Sequence, residues 1–261
     1  MVPASMDKDG QALEWREGDM PYSPQFGDHF YCQTDGRLEC GHVFLAGNRL
    51  PERWTEGFTE RLNKRADLSS ADAGDGREPT VFRIGELGFG TGLNACETWR
   101  QWQSAVHSTG ARLHMTSFEL YPMQAQEIDR ALSHWPELDR ERQALVRLFP
   151  QQPAGRIELP LSDSMHLTIV CGRADETVPR EEPFFDAWFL DGFAPSRNPD
   201  MWSPDLMQAV YAATKPGGTF ATYAAAGFVR RNLQAAGFRV ERRPGFAGKR
   251  EMLCGEKSLE A

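Results

Sequence analysis

Four short stretches of this 261-residue chain carry residue types at spacings that could do chemistry. The first is Glu86-Leu87-Gly88-Phe89-Gly90-Thr91-Gly92, an acid followed by three alternating glycines. Glycines there let a ligand lie on bare backbone, because a Cβ would block the approach and because such turns need φ > 0 at some positions. A helix starting at Leu93 would aim its first N–H groups at an anionic ligand group, while Glu86 suits a cationic one. The second is Glu119, closing the run Leu113-His114-Met115-Thr116-Ser117-Phe118, where a carboxylate can accept hydrogen bonds from both hydroxyls of a ribose. The third is Asp191 in Leu190-Asp191-Gly192-Phe193-Ala194-Pro195. A carboxylate at a strand tip can attract a cationic amine and then accept a hydrogen bond from its N–H, and Phe193 could stack on a base. The fourth, Asp175 in Gly172-Arg173-Ala174-Asp175-Glu176, could reach an adenine amine or equally cap the next helix.

These residues need a scaffold that brings four distant stretches to one place. Val81, Phe82 and Ile84 give the segment before the glycines strand character, and Leu93 to Gln103 reads as a helix. Further strands are expected over Leu113–Glu119, His166–Cys171, Phe185–Asp191 and Thr219–Tyr223, with helices over Pro204–Thr214 and Phe228–Ala236 and a turn over Lys215–Gly218. Phe238–Arg242 and Glu251–Cys254 read as a closing antiparallel pair. Met123 to Leu148 carries a partial apolar stripe broken by Pro136, so an inserted segment of at least two helices is expected over residues 123–150. Strand and helix alternate throughout residues 80–256, which predicts an α/β fold with a doubly wound, Rossmann-like sheet. Ligands in such sheets bind outside the C-terminal ends of the strands, where Gly88 to Gly92, Glu119 and Asp191 all fall.

Residues 1–65 form a leader expected to build a small β-rich and helical cap: poorly ordered to residue 20, then the aromatic stretch Pro21–Tyr31, a short strand over Val43–Asn48 and a helix over Glu52–Lys64. Residues 66–79 are small and polar and read as a mobile surface loop.

Composition narrows the function. With 40% hydrophobic residues the chain can bury one large core. A net charge of −8 argues against a nucleic-acid coat held by bulk charge but leaves room for a local basic patch. Arg230, Arg231, Arg239, Arg242, Arg243, Lys249 and Arg250 gather near the C-terminal end and are candidate phosphate contacts, or else a solvated charged face. The five cysteines make no C-x-x-C pair, so reduced thiols and a cytoplasmic location are expected. The six histidines show no ligand spacing, and no metal is expected. Met1 to Arg16 lacks the apolar core of a secretory signal, and no apolar run reaches membrane-spanning length.

The E-x-G-x-G-x-G spacing differs from the dinucleotide turn G-x-G-x-x-G and resembles the first motif of S-adenosylmethionine-dependent methyltransferases. A wider set of segments resembles the MnmC methyltransferase family: Phe26–Tyr31, Val43–Leu50, Glu86–Asn94, Ser117–Glu119, Asp186–Trp202, Ala226–Phe238 and Gly245–Gly255. The resemblance implies a class I methyltransferase fold and S-adenosylmethionine as cofactor. It further implies methyl transfer to the aminomethyl nitrogen of a tRNA wobble uridine, 5-aminomethyl-2-thiouridine becoming 5-methylaminomethyl-2-thiouridine. On this reading Glu86, Gly88, Phe89, Gly90, Gly92, Asn94, Glu119, Asp175 and Asp191 hold the cofactor. Asp191 and Phe193 are the catalytic pair. Asp28, Tyr31 and Asn48, with Arg230, Arg231, Lys249 and Arg250, face the tRNA anticodon arm. The family usually has Gly-Asp at Gly172-Arg173, which moves the expected adenine contact to Asp175. Family members often continue into a flavin-dependent oxidoreductase module; a chain stopping at Ala261 is expected to be a stand-alone form or an excised module.

Other readings of the same residues are a small-molecule amine N-methyltransferase of the same fold, a nicotinamide-dependent oxidoreductase, and a catalytically silent tRNA-binding module.

Overall fold

In the computed structural model, residues 13–55, 80–106, 110–181 and 185–259 are described. An eight-stranded sheet has the order β10-β11-β9-β8-β4-β5-β7-β6. Its parallel centre is β4 (Thr80–Leu87), β5 (Ala111–Glu119), β7 (Met165–Cys171), β8 (Phe185–Leu190) and β9 (Thr214–Thr222). At one edge β10 (Arg239–Pro244) and β11 (Glu251–Glu256) add antiparallel strands; at the other, β6 (Arg156–Ser162) pairs antiparallel with β7. Chain order reverses at β4, with β5 on one side and β8 on the other, and this is where open α/β sheets leave a crevice.

Alternation with period two sends strand side chains to two separate cores. Ile84, Leu113, Met115, Leu167, Ala187 and Phe189 face one, with α1 (Gly36–Cys40), α2 (Leu93–Ala105), α3 (Ala125–Leu132) and α4 (Asp139–Leu148). Leu87, Phe118, Trp188, Leu190 and Phe220 face the other, with α5 (Ala174–Thr177), α6 (Pro204–Ala212) and α7 (Gly227–Ala236). Opposite Trp188 in the ladder sits Gly85, where a Cβ would come within 2.6 Å of the indole. A glycine in mid-strand is therefore what lets Trp188 lie flat across β4 and stack on Phe118.

Several expectations need correction. Val43–Asn48 is not a strand: α1 runs on into a π-helical segment, Gly41–Ala46, and Val43, Phe44 and Leu45 are all buried. A short unbroken apolar run does not by itself distinguish strand from buried helix. That segment shares a core with α2 and β8. Strand β6 was not anticipated, although its alternating burial is clear once it is paired to β7. Lys215–Gly218 lies within β9 at a break in register rather than in a turn. Helical residues 50–55 cover the start of the expected helix over Glu52–Lys64; its remainder, the loop 66–79 and residues 1–12 lie outside the described residues. Residues 14–29 form a small antiparallel sheet, β1 (Glu14–Arg16), β2 (Met20–Ser23) and β3 (Asp28–His29). The segment 123–150 is broken as Pro136 predicts, into α3, a single 3-10 turn Pro136–Leu138, and α4.

Candidate active site

The glycine turn follows β4 directly, with φ of 82°, 52° and 77° at Gly88, Gly90 and Gly92. These left-handed values are why side-chain-bearing residues do not serve there. Gly88 N–H donates to Phe118 O at 2.9 Å, tying the turn to β5. A Cβ on Gly88 would meet the backbone of Asp191 and Gly192 at 3.6 Å, so the loop after β4 passes close to the loop after β8. Gly92 is the N-cap of α2 and is packed against the Phe89 ring and Leu145, away from the cavity wall.

Glu119, at the tip of β5, accepts hydrogen bonds from Gly90 N–H (3.0 Å) and Tyr121 N–H (2.8 Å). Asp191, at the tip of β8, accepts from Gly192 N–H and from Asn94 Nδ2, each at 2.8 Å. The same Asn94 Nδ2 donates to Glu86 Oε1 at 3.0 Å. Glu86 is fully buried and its other oxygen is held by Ser117 Oγ. The motif acid therefore does not line the cavity as the sequence suggests. It orients Asn94, and Asn94 orients Asp191.

A cavity of 740 Å³ opens over these tips, lined by Gly88, Phe89, Gly90, Asn94, Glu119 and Asp191, among others. The leader covers it. Phe26 stacks on Phe193 with ring centroids 4.6 Å apart, Phe30 meets Phe193 edge-on at 5.1 Å, and Asp28 Oδ2 accepts from Ala194 N–H at 3.0 Å. Opposite, Tyr223 at the end of β9 donates to Gly192 O.

The structure thus gathers Gly88, Phe89, Gly90, Asn94, Glu119, Asp175, Asp191, Phe193, Asp28, Tyr31 and Lys249 around one cavity. Asn48 is not there. It is fully buried, its Nδ2 donates to Phe44 O and Trp188 O, and its Oδ1 accepts from Thr219, so it braces helix to sheet and cannot face tRNA. Asp175 is held by Arg173 at 2.9 Å, which competes with its expected role toward adenine. Arg230, Arg231 and Arg250 lie outside the cavity wall. Arg239, Arg242 and Arg243 pair with Glu256, Glu251 and Glu241. Glu39 and Tyr223, both in the wall, were missed. Neither sits in a motif, and only the folded chain brings them beside Asp191.

An S-adenosyl-L-methionine-dependent methyltransferase family model matches residues 136–258. The tRNA 5-methylaminomethyl-2-thiouridine biosynthesis bifunctional protein MnmC of Chromohalobacter salexigens is 42% identical over 247 residues, covering 94% of this chain and 32% of that protein. MnmC of Pseudomonas aeruginosa PAO1 is 42% identical over 244 residues, covering 93% of this chain and 34% of that protein. The chain resembles a methyltransferase module of MnmC over nearly its whole length. It spans about a third of the length of the curated relatives it matches. The crystal structure of MnmC2 from Aquifex aeolicus shares the fold, with a TM-score of 0.68 at 21% identity, covering 98% of this chain and 73% of that one.

The module's cofactor is S-adenosylmethionine, and the residues present fit it. The glycine turn leaves main chain bare, Glu119 keeps lone pairs free for hydroxyls, and the wall carries carboxylates suited to a sulfonium and an ammonium. Burial raises the pKa of Asp191 to about 7, against the lowering effect of its bonds from Gly192 and Asn94. Burial likewise raises Glu119 and holds Glu86 well above the carboxylate range. Among the described residues no group of side chains could hold a metal ion, and no helix is long and apolar enough to cross a membrane.

Proposed function

We propose that this module methylates the primary amine of 5-aminomethyl-2-thiouridine at the wobble position of tRNA, giving 5-methylaminomethyl-2-thiouridine. Bound S-adenosylmethionine supplies an electrophilic methyl group on a sulfonium. The acceptor nitrogen must be neutral to attack it, yet an alkyl amine has a pKa of roughly 10 in water. Asp191 is placed to draw in the ammonium and take its proton. A carboxyl held at about 7 is a stronger base than an ordinary aspartate, which narrows the mismatch. Asn94, fixed by Glu86, holds that carboxylate in one orientation, so the reaction gains from positioning. Phe193 offers its ring to the uracil when Phe26 moves aside. Glu119 holds the ribose of the cofactor.

The observation that carries this reading is the Glu86–Asn94–Asp191 chain, which ties a tuned carboxylate to the glycine turn in one cavity. The tRNA anticodon arm would lie across the mouth, with Arg230, Arg231 and Arg250 toward its phosphates. A flavin-dependent oxidoreductase, fused or separate, would supply the aminomethyl group, and the reaction would be cytoplasmic.

One observation favours a small-molecule amine acceptor instead: Arg239, Arg242 and Arg243 are already paired with acids and offer less to a phosphate backbone. Nucleoside mass spectrometry after incubation with methyl donor separates the two. Methylaminomethyl nucleoside in tRNA supports the proposal; methylation of free aminomethyluridine but not of the tRNA overturns it.

A further inference from the structure

A second carboxylate faces the cavity from the leader. Glu39, on α1, is 8% exposed and lies in the wall with Asp191 and Tyr223. Its Oε1 holds the ammonium of Lys249 at 2.6 Å, and that same Nζ sits 4.2 Å from the centre of the Tyr223 ring. A carboxylate on one side and an aromatic face on the other form a cage for an alkylammonium ion. Its occupant arrives from 210 residues away, at the tip of the β10–β11 hairpin. There Gly245 lets the turn close, since a Cβ would sit 2.4 Å from Lys249 O. Lys249 is about 40% exposed, whereas Glu39 is not, so the carboxylate is built in and the ammonium can leave to solvent. The cage adjoins the reacting end of the cavity, because the Tyr223 hydroxyl binds Gly192 O beside Asp191.

Resting on the proposed function, we infer that Glu39 and Tyr223 form the subsite for the acceptor's aminomethyl group, and that Lys249 fills it as an internal stand-in until the acceptor displaces it. The chemistry of occupant and acceptor is the same, a primary ammonium on a short alkyl stem. Displacement keeps Glu39 paired throughout, which avoids leaving a buried carboxylate alone. It also frees Lys249 at the mouth of the cavity, where a phosphate can receive it. The subsite selects a cationic primary amine. It disfavours a neutral hydroxymethyl group, which brings no charge, and a carboxymethylated amine, whose carboxylate would face Glu39 and Asp191.

Two measurements test this. The first is thermal stability in propylammonium chloride against equal sodium chloride, for wild type, Lys249→Ala and the double variant Glu39→Gln/Lys249→Ala. Propylammonium is expected to raise the Tm of Lys249→Ala selectively, with no such gain in wild type or the double variant. An equal response in all three overturns the cage. The second is methyl transfer to aminomethyl-bearing tRNA by Glu39→Gln. Its KM is expected to rise by about ten-fold or more with a smaller change in kcat, and its affinity for S-adenosylmethionine to stay the same. An unchanged KM overturns the acceptor role. If wild type leaves the tRNA unmethylated, the proposed function fails, and the propylammonium response still decides the cage.

Discussion

Asn94 Nδ2 lies 2.8 Å from Asp191 Oδ2 and donates its other proton to the buried Glu86 at 3.0 Å. One amide therefore joins the acid of the glycine motif to the acid at the tip of the neighbouring strand. Asn94→Leu keeps the volume and removes both bonds, leaving a buried carboxyl unsatisfied. A stability loss of about 1–3 kcal/mol is expected, read as a lowered denaturant midpoint. A fall in single-turnover rate of roughly ten- to a hundred-fold should accompany it. A variant with normal rate would remove Asn94 from the positioning of Asp191.

The raised pKa of Asp191 makes both activity and stability depend on pH. Activity should rise as Asp191 ionises near pH 7, so kcat/KM climbs through that value. For stability the sign is opposite. A carboxyl whose folded pKa lies above its unfolded value stabilises fully below pH of about 4, and that contribution is lost as pH rises through about 7. Asp191→Asn should therefore melt higher relative to wild type at pH 8 than at pH 4, while losing turnover. Melting curves at the two pH values decide it; a pH-independent difference would contradict the buried, protonatable state.

Glu119 already accepts from Gly90 and Tyr121, so its orientation is set before any ligand arrives. Glu119→Ala should weaken S-adenosylmethionine binding by roughly ten- to a hundred-fold, through the loss of charge-assisted hydrogen bonds to hydroxyls. Calorimetry measures this directly, and an unaltered Kd would refute the ribose role.

Phe193 is covered by Phe26 in the structure, at 4.6 Å between centroids. A uracil stacking on Phe193 has to replace that ring. Phe193→Ala should raise KM for tRNA by about five- to a hundred-fold, in line with the usual strength of base stacking on an aromatic ring, and leave the cofactor Kd unchanged. Phe26→Ala should have a smaller effect or lower KM, because it removes the competitor. Equal losses in both variants would point to a packing role for the pair.

Phosphate contacts are expected from Arg230, Arg231 and Arg250 rather than from the paired Arg239, Arg242 and Arg243. Replacing the first three with glutamine should flatten the dependence of tRNA affinity on salt, and replacing the second three should barely alter it. Filter binding across a salt series distinguishes them.

What the sequence determined by itself was local. Three alternating glycines demand a turn with left-handed φ, apolar runs such as Phe185–Leu190 demand a buried strand, and an acid after each run must sit at a strand tip. These follow from backbone sterics and from period-two patterning, which neighbouring residues settle among themselves. The same local rules failed at Val43–Leu45, where burial on every side suits helix as well as strand, and at Asn48, whose polar side chain gave no sign of its buried bracing role. Tertiary structure decided which individual side chains of distant segments touch. It joined Asn94 to Asp191, laid Phe26 on Phe193, and brought Lys249 to Glu39. Those partners are chosen by strand order and helix packing across the whole chain, and no window of sequence contains both members of such a pair.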